Sequence, residues 1–135
     1  MSAIVADTSE WVEYLAGRPA ELLDHALAAG LVVVPPIVVA ELLSGARTAK
    51  DRLLLEDMLR DLMMPAAPFD HWVRVGALRA LLRARGLSVS TPDAHVAQCA
   101  LDQDAPLLTR DGVFSRIARM TPLRLALSDG AGPPR

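Results

Sequence analysis

The stretch Ala3-Ile4-Val5-Ala6-Asp7-Thr8-Ser9 is a short apolar run that stops on a carboxylate and continues into two hydroxyl residues. The run reads as a buried strand. An acid at its carboxyl end stands where ligands collect in a parallel, helix-covered sheet. Three further acids close or interrupt apolar segments. Glu41 lies inside Ile-Val-Val-Ala-Glu-Leu-Leu, residues 37–43. Asp93 follows Thr91-Pro92, and Asp111 follows Pro106-Leu107-Leu108-Thr109-Arg110. A lone carboxylate among apolar neighbours is costly to ionise, so each needs compensation. Four that converge can share a divalent cation.

With residues 3–7 as the first strand, strand and helix signals alternate along the chain. Thr8 or Ser9 is expected to cap a helix running through Tyr14-Leu15-Ala16 and stopped by Gly17. Pro19 opens a helix over residues 21–27, closed by Gly30. Residues 31–34 read as a β-branched strand, and Pro35-Pro36 leads into a helix that carries Glu41 and ends near Gly45. Residues 49–63 are helical, with Leu53, Leu54, Met58, Leu59 and Leu62 on one stripe. Residues 66–69 are a short strand candidate. Asp70 should cap the next helix, with Trp72, Val75, Leu78 and Leu82 inward, ended by Gly86. Thr91-Pro92-Asp93 opens a helix to about Leu101, with Thr91 as the cap. Strand 105–109, helix 113–119 and strand 123–127 complete the order, and residues 128–135 read as a mobile tail. Such alternation implies an α/β domain over residues 1–127 with a central parallel sheet covered by helices.

A chain of 135 residues suits one domain with one core. Its mean hydropathy of +0.28 is apolar, yet no run reaches the ~20 residues that span a bilayer. No signal peptide is visible, and the single cysteine, Cys99, forms no internal disulfide. A reducing cytoplasm is the expected setting. The net charge of −2 gives no global field for nucleic acid. Lys50 is the only lysine, and the other basic residues are arginines, whose planar fork suits phosphate contacts.

Several chemistries are disfavoured. No Gly-x-x-x-x-Gly-Lys, Gly-x-Gly-x-x-Gly or Gly-x-Ser-x-Gly occurs. With neither a cysteine pair nor His-x-x-x-His, structural zinc is not expected. Phosphoacceptor receivers and haloacid-dehalogenase-type phosphatases place a lysine on a late strand, and nothing after Lys50 supplies one. Oxygen ligands alone favour Mg2+ or Mn2+.

Taken in order, Asp7-Thr8-Ser9, Glu41, Asp93-Ala94-His95-Val96-Ala97 and Leu108-Thr109-Arg110-Asp111-Gly112-Val113-Phe114 resemble a PIN-domain ribonuclease. The small size and the Thr-Arg-Asp-x-x-Phe block are most similar to the VapC toxins of toxin–antitoxin pairs. The resemblance covers roughly residues 1–127 and implies a three-layer α/β/α PIN domain. It implies that Asp7, Glu41, Asp93 and Asp111 form the acidic pocket that holds Mg2+ or Mn2+. Ser9 would hydrogen-bond within that pocket, and Thr109 would orient the neighbouring carboxylates. The implied reaction is endonucleolytic cleavage of RNA by a metal-activated water. The implied partners are an RNA substrate, a second copy in a homodimer and a VapB-like antitoxin laid in a helix-lined groove. The rival reading is a PIN-like module that holds RNA or a protein without cutting.

The remaining residues have plainer expectations. Arg110, beside Asp111, is open between an RNA phosphate contact and simple charge pairing. Glu41, set in an apolar helix, is expected to be the acid that holds a proton. Trp11 and Trp72 read as core or interface and Cys99 as a small buried hydrophobe. His95 reads as structural or surface rather than as a base. His25 and His71 read as solvated, and Asp102 and Asp104 as loop acids.

Overall fold

A computed structural model describes residues 2–126. The first strand, β1, spans Ile4–Ala6 and runs into helix α1, Thr8–Leu15. Helix α2, Glu21–Ala28, precedes strand β2, Val32–Val33. Three helices follow: α3 (Pro36–Ser44), α4 (Ala49–Arg60) and α5 (Phe69–Ala84). Helix α6, Thr91–Asp102, leads to strand β3, Leu107–Leu108, then α7, Val113–Met120, and β4, Leu125–Ala126. The expected tail, residues 128–135, and Leu127 of the last expected strand lie outside the described residues.

The four strands form one sheet in the order β2-β1-β3-β4, and every pairing is parallel. In β1, Ile4, Val5 and Ala6 are all buried. Successive strand residues point to opposite faces, so both faces of this sheet are covered. The fold is therefore the expected three-layer α/β/α arrangement. The chain leaves β1 for β2 on one side and later returns to β3 on the other. The cleft between the carboxyl ends of β1 and β3 is thus the point where the strand order reverses, the usual ligand position in open α/β sheets. Gly30, at φ +70°, turns the chain out of α2 into β2, a conformation that disfavours a side chain.

The structure corrects several local expectations. Asp7 itself caps α1, accepting from the Glu10 N–H, so neither Thr8 nor Ser9 is the cap. Ser90, not Thr91, caps α6. Pro68 occupies the N-cap of α5, and Asp70 lies within its first turn. No strand forms over residues 66–69. Pro65 and Pro68 remove two ladder donors there, and Phe69 opens α5. The strand-like contact falls earlier, where the Val34 N–H donates to the Met63 carbonyl at 2.8 Å. The inward face of α5 is His71, Val75, Leu78 and Leu82, spaced at intervals of four and three. Trp72 is displaced to the rim and left 42% exposed. Trp11 and Cys99 are buried as expected. On α4, Leu59 is buried and Met58 is partly buried against the core, whereas Leu53 and Leu54 face outward; the helix ends at Arg60, and Leu62, beyond it, is partly buried. Among the described residues, no helix is long and apolar enough to cross a membrane.

Candidate active site

Asp7 follows the last residue of β1, and its carboxylate turns into the cleft beside β3. The Asp7 N–H donates to the Leu108 carbonyl at 3.1 Å, which fixes the strand end. Thr109, immediately after β3, donates from Oγ1 to Asp7 Oδ2 at 2.7 Å. Ser9 donates from Oγ to Asp7 Oδ1 at 2.6 Å. Each hydroxyl is itself held by a backbone amide: the Arg110 N–H donates to Ser9 Oγ at 2.9 Å, and the Asp111 N–H to Thr109 Oγ1 at 3.0 Å. Both oxygens of Asp7 are therefore oriented by hydroxyls whose own positions are fixed.

The other acids reach the cleft from separate elements. Asp111 sits in the turn between β3 and α7 and accepts from the Val113 N–H at 3.0 Å. Glu41, midway along α3, is exposed and accepts from Thr8 Oγ1 at 2.7 Å. Thr8 was not among the expected site residues, although it lies inside the Asp-Thr-Ser motif. Asp93 stands in the first turn of α6, where its amide is bonded to the Ser90 hydroxyl at 3.2 Å.

Electrostatics link the four. Burial raises the Asp7 carboxyl above its ordinary value; bonds from Ser9, Thr109 and Glu10 N–H oppose this, and the charge of Asp111 adds to it. Burial also raises Asp93, against its bond to Ser90 and with the charges of Asp111 and Glu41 behind it. Burial thus bears on Asp7 and Asp93, whereas α3 turns the Glu41 side chain to solvent despite its apolar neighbours. All the donors in the cleft are oxygens, the set that hard divalent cations take. The carboxylates stand apart rather than in a closed cage: among the described residues, the group of three ligand atoms lying mutually within 4.8 Å is His71, His95 and Cys99.

Arg110 does not pair with its neighbour Asp111. Its guanidinium donates to Glu10 from Nε at 2.9 Å and from Nη2 at 3.4 Å, and to the Pro19 carbonyl at 3.3 Å. Glu10 is wholly buried on α1.

The PIN-domain family matches residues 4–120. This chain belongs to the PIN-domain family. It is 32% identical to Ribonuclease VapC11 of Mycobacterium tuberculosis (strain ATCC 25618 / H37Rv) over 131 residues, covering 91% of this chain and 97% of that protein. Among solved structures, it superposes on the DNA-bound VapBC from Salmonella typhimurium with a TM-score of 0.76 at 18% identity, covering 93% and 98% of the two chains. The match to VapBC-5 of Mycobacterium tuberculosis, a member of the VapBC family of toxin–antitoxin systems, has a TM-score of 0.69 at 21% identity and covers 95% and 100%. In this PIN domain Asp7 and Asp111 stand at the reversal point of the sheet, and the charges of Asp111 and Glu41 reach Asp93 on α6.

One histidine departs from its expected setting, and a second takes the structural role expected of it. His71 is buried rather than solvated, and His95 is fully buried beside it. Asp102, expected in a loop, ends α6 and binds Arg74, His71 and Gln98. Their signal was faint, since His71 and His95 lie 24 residues apart on different helices. His25 is exposed, as expected.

Proposed function

We propose that this PIN-domain protein is a VapC-type endoribonuclease that cleaves RNA with a metal-activated water. The observation that carries the reading is Asp7, buried at the end of β1 with both oxygens fixed by Ser9 and Thr109 and beside the charge of Asp111. Asp7, Glu41, Asp93 and Asp111 are the residues that would hold Mg2+ or Mn2+. The hard oxygen set fits such an ion, and so do the raised carboxyls of Asp7 and Asp93, whose charged forms lack a counterion among these four acids. When bound, such an ion supplies a water made acidic enough to attack and neutralises charge on the phosphoryl oxygens.

The chain's own side chains supply the positioning. Ser9 and Thr109 hold the Asp7 carboxylate in one rotamer, and their backbone anchors keep the two hydroxyl protons aimed at it. Thr8 ties Glu41 to the first turn of α1. The hydroxyl bonds also favour ionised Asp7 against the desolvation that raises it. Arg110 is committed to Glu10, so its proposed part is to hold the β3–α7 turn rather than to meet RNA.

The partner is proposed to be a VapB-like antitoxin. A cleft of about 730 Å3 runs between α1, α3 and α4, lined by Val12, Leu15, Leu42, Leu54, Leu55 and Met58, with Thr8 and Glu41 at its active-site end. An amphipathic segment would bury an apolar face there and block the acids. Homodimerisation has its own apolar face in Phe69, Trp72, Val73 and Leu81, exposed on α5; light scattering at micromolar concentration should give twice 14.5 kDa.

The deciding experiment is cleavage of a mixed RNA pool by wild type and by Asp7→Asn, with Mg2+, with Mn2+ and with EDTA. Cleavage by the wild type with either ion, lost on chelation and in the variant, is expected. Undiminished cleavage by Asp7→Asn would sink the assignment. Tight RNA binding without cleavage by the wild type would favour a non-cleaving module.

A further inference from the structure

Away from the acidic cleft, α5 and α6 face each other through a set of side chains that the proposed ribonuclease chemistry does not use. His71 Nε2 lies 2.7 Å from His95 Nδ1. Cys99 Sγ, one turn after His95 on α6, lies 3.7 Å from His95 Nε2 and 4.0 Å from its Nδ1. All three residues are buried, and one ligand atom from each falls within 4.8 Å of the others. Behind them, Asp102 Oδ2 accepts from His71 Nδ1 at 3.0 Å. Asp102 is fixed in turn by a two-pronged bond from Arg74, at 3.0 and 2.9 Å, and by Gln98 at 2.9 Å. Trp72 stacks over His95 with ring centres 4.8 Å apart and planes 12° from parallel.

We propose that His71, His95 and Cys99 form a binding site for a soft divalent cation of the zinc class, separate from the acidic pocket, that clamps α5 to α6. The ligand chemistry selects the ion: two imidazoles and a thiolate prefer Zn2+ or Co2+ to Mg2+ or Mn2+. The spacing is suitable, because His95-x-x-x-Cys99 puts both ligands on one face of α6. Asp102 fixes the tautomer of His71, leaving Nε2 with the free lone pair that a metal needs, an orienting role common behind metal-bound histidine. The two ring nitrogens are joined by one proton, which sits where the cation would go. Around a tetrahedral zinc-class ion, nitrogens at ~2.0–2.1 Å lie roughly 3.3 Å apart. The 2.7 Å pair therefore opens by about half an ångström and the sulfur closes by a similar amount, within the reach of small χ adjustments. On uptake His95 moves its proton from Nδ1 to Nε2 and the thiol proton goes to solvent, so one proton leaves per ion. Burial, with Asp102 adding to it, pushes the Cys99 thiol up to about 12, so without a metal the sulfur is a packed hydrophobe rather than a nucleophile. The fourth coordination position falls to a water, and the exposed Trp72, stacked on His95, borders the cluster.

Cobalt titration of the full chain, stripped of metal and kept reduced, tests the proposal. A thiolate–Co2+ charge-transfer band in the near ultraviolet should grow to one equivalent and be displaced by Zn2+. Cys99→Ser should lose the band, and His71→Gln should weaken binding at least tenfold. Asp93→Asn, which alters only the acidic pocket, should keep it. No band in the wild type, a band that survives Cys99→Ser, or one lost in Asp93→Asn overturns the proposal and leaves the cluster a hydrogen-bonded pack. The wild-type titration decides even if a variant fails to fold. Thiolate absorption is also independent of RNA cleavage, so failure of the ribonuclease reading leaves this result unaffected.

Discussion

Arg110 and Glu10 are 100 residues apart in sequence and joined by a two-pronged ion pair, at 2.9 and 3.4 Å, between the β3–α7 turn and α1. The glutamate side chain is 1% exposed and the guanidinium 40%. The pair fastens the turn that carries Asp111 to the helix that Asp7 caps, so it holds two of the four acids at a set separation.

Removing one partner should therefore cost more than removing both. Arg110→Met leaves Glu10 buried and unpaired, a loss of ~3–5 kcal/mol in a fully buried pair and about 2–3 here, since the arginine is partly solvated. Glu10→Leu with Arg110→Met should recover much of that loss. Urea unfolding of the single and double variants measures it. Equal stability of wild type and Arg110→Met would show that the pair is not structural.

Ser9 and Thr109 act through Asp7. Thr109→Val removes a donor from Asp7 Oδ2 while keeping shape, so the Asp7 carboxyl should rise further. A hydrogen bond to a charged group is worth ~1.5–3 kcal/mol, which predicts at least a tenfold fall in cleavage rate. The acidic limb of the pH–rate profile should move to higher pH, whereas a purely structural lesion would scale the whole profile down without moving it.

The raised carboxyls of Asp7 and Asp93 make the metal-free pocket a liability. A carboxyl raised in the folded state adds stability that is complete below its unfolded value of 3.8 and is lost as pH rises through the folded value. At neutral pH, Asp93→Asn should melt a few degrees above the wild type in EDTA. Mn2+ should raise the wild type and not the variant, because it binds the folded pocket alone. Identical melting of both proteins from pH 5.5 to 8.5, with no response to Mn2+, would separate the four acids into unrelated groups.

His95 gives the opposite slope. Burial, aided by His71, lowers it from 6.5 to about 4. The unfolded chain takes up a proton at this residue between those values and the folded protein does not. Its contribution to stability is therefore complete above about 6.5 and lost as pH falls toward about 4. The gap corresponds to roughly 3 kcal/mol. Asp102, held near about 2 by Arg74, Gln98 and His71 against the upward push of burial, adds to the loss below its unfolded value. Denaturation midpoints in EDTA should fall over that range for the wild type and much less for His95→Phe. A flat wild-type curve from pH 7 to 4.5 would contradict a buried neutral imidazole.

Apart from the strand expected over residues 66–69, the amino-acid sequence determined the order of strands and helices, the parallel sheet and the acids that end its strands, because each of these is a local matter. Apolar runs with period two or four, prolines at helix starts and glycines at their ends act over a few residues. An acid next to a strand in sequence stays at that strand's end in space. Tertiary structure alone decided which acid is desolvated. Glu41 sits in the most apolar helix context yet faces solvent, while Asp7 and Asp93 take the burial, because exposure depends on which side of a helix meets its neighbours. It also decided partners. Arg110 bypasses adjacent Asp111 for Glu10, since an arginine reaches several ångströms and a buried carboxylate rewards it most. One step in the phase of α5, with His71 inward and Trp72 at the rim, brings two imidazoles and a thiol together from separate helices. Covalent neighbours are legible in a sequence, but contacts made by two helix faces depend on how those faces pack.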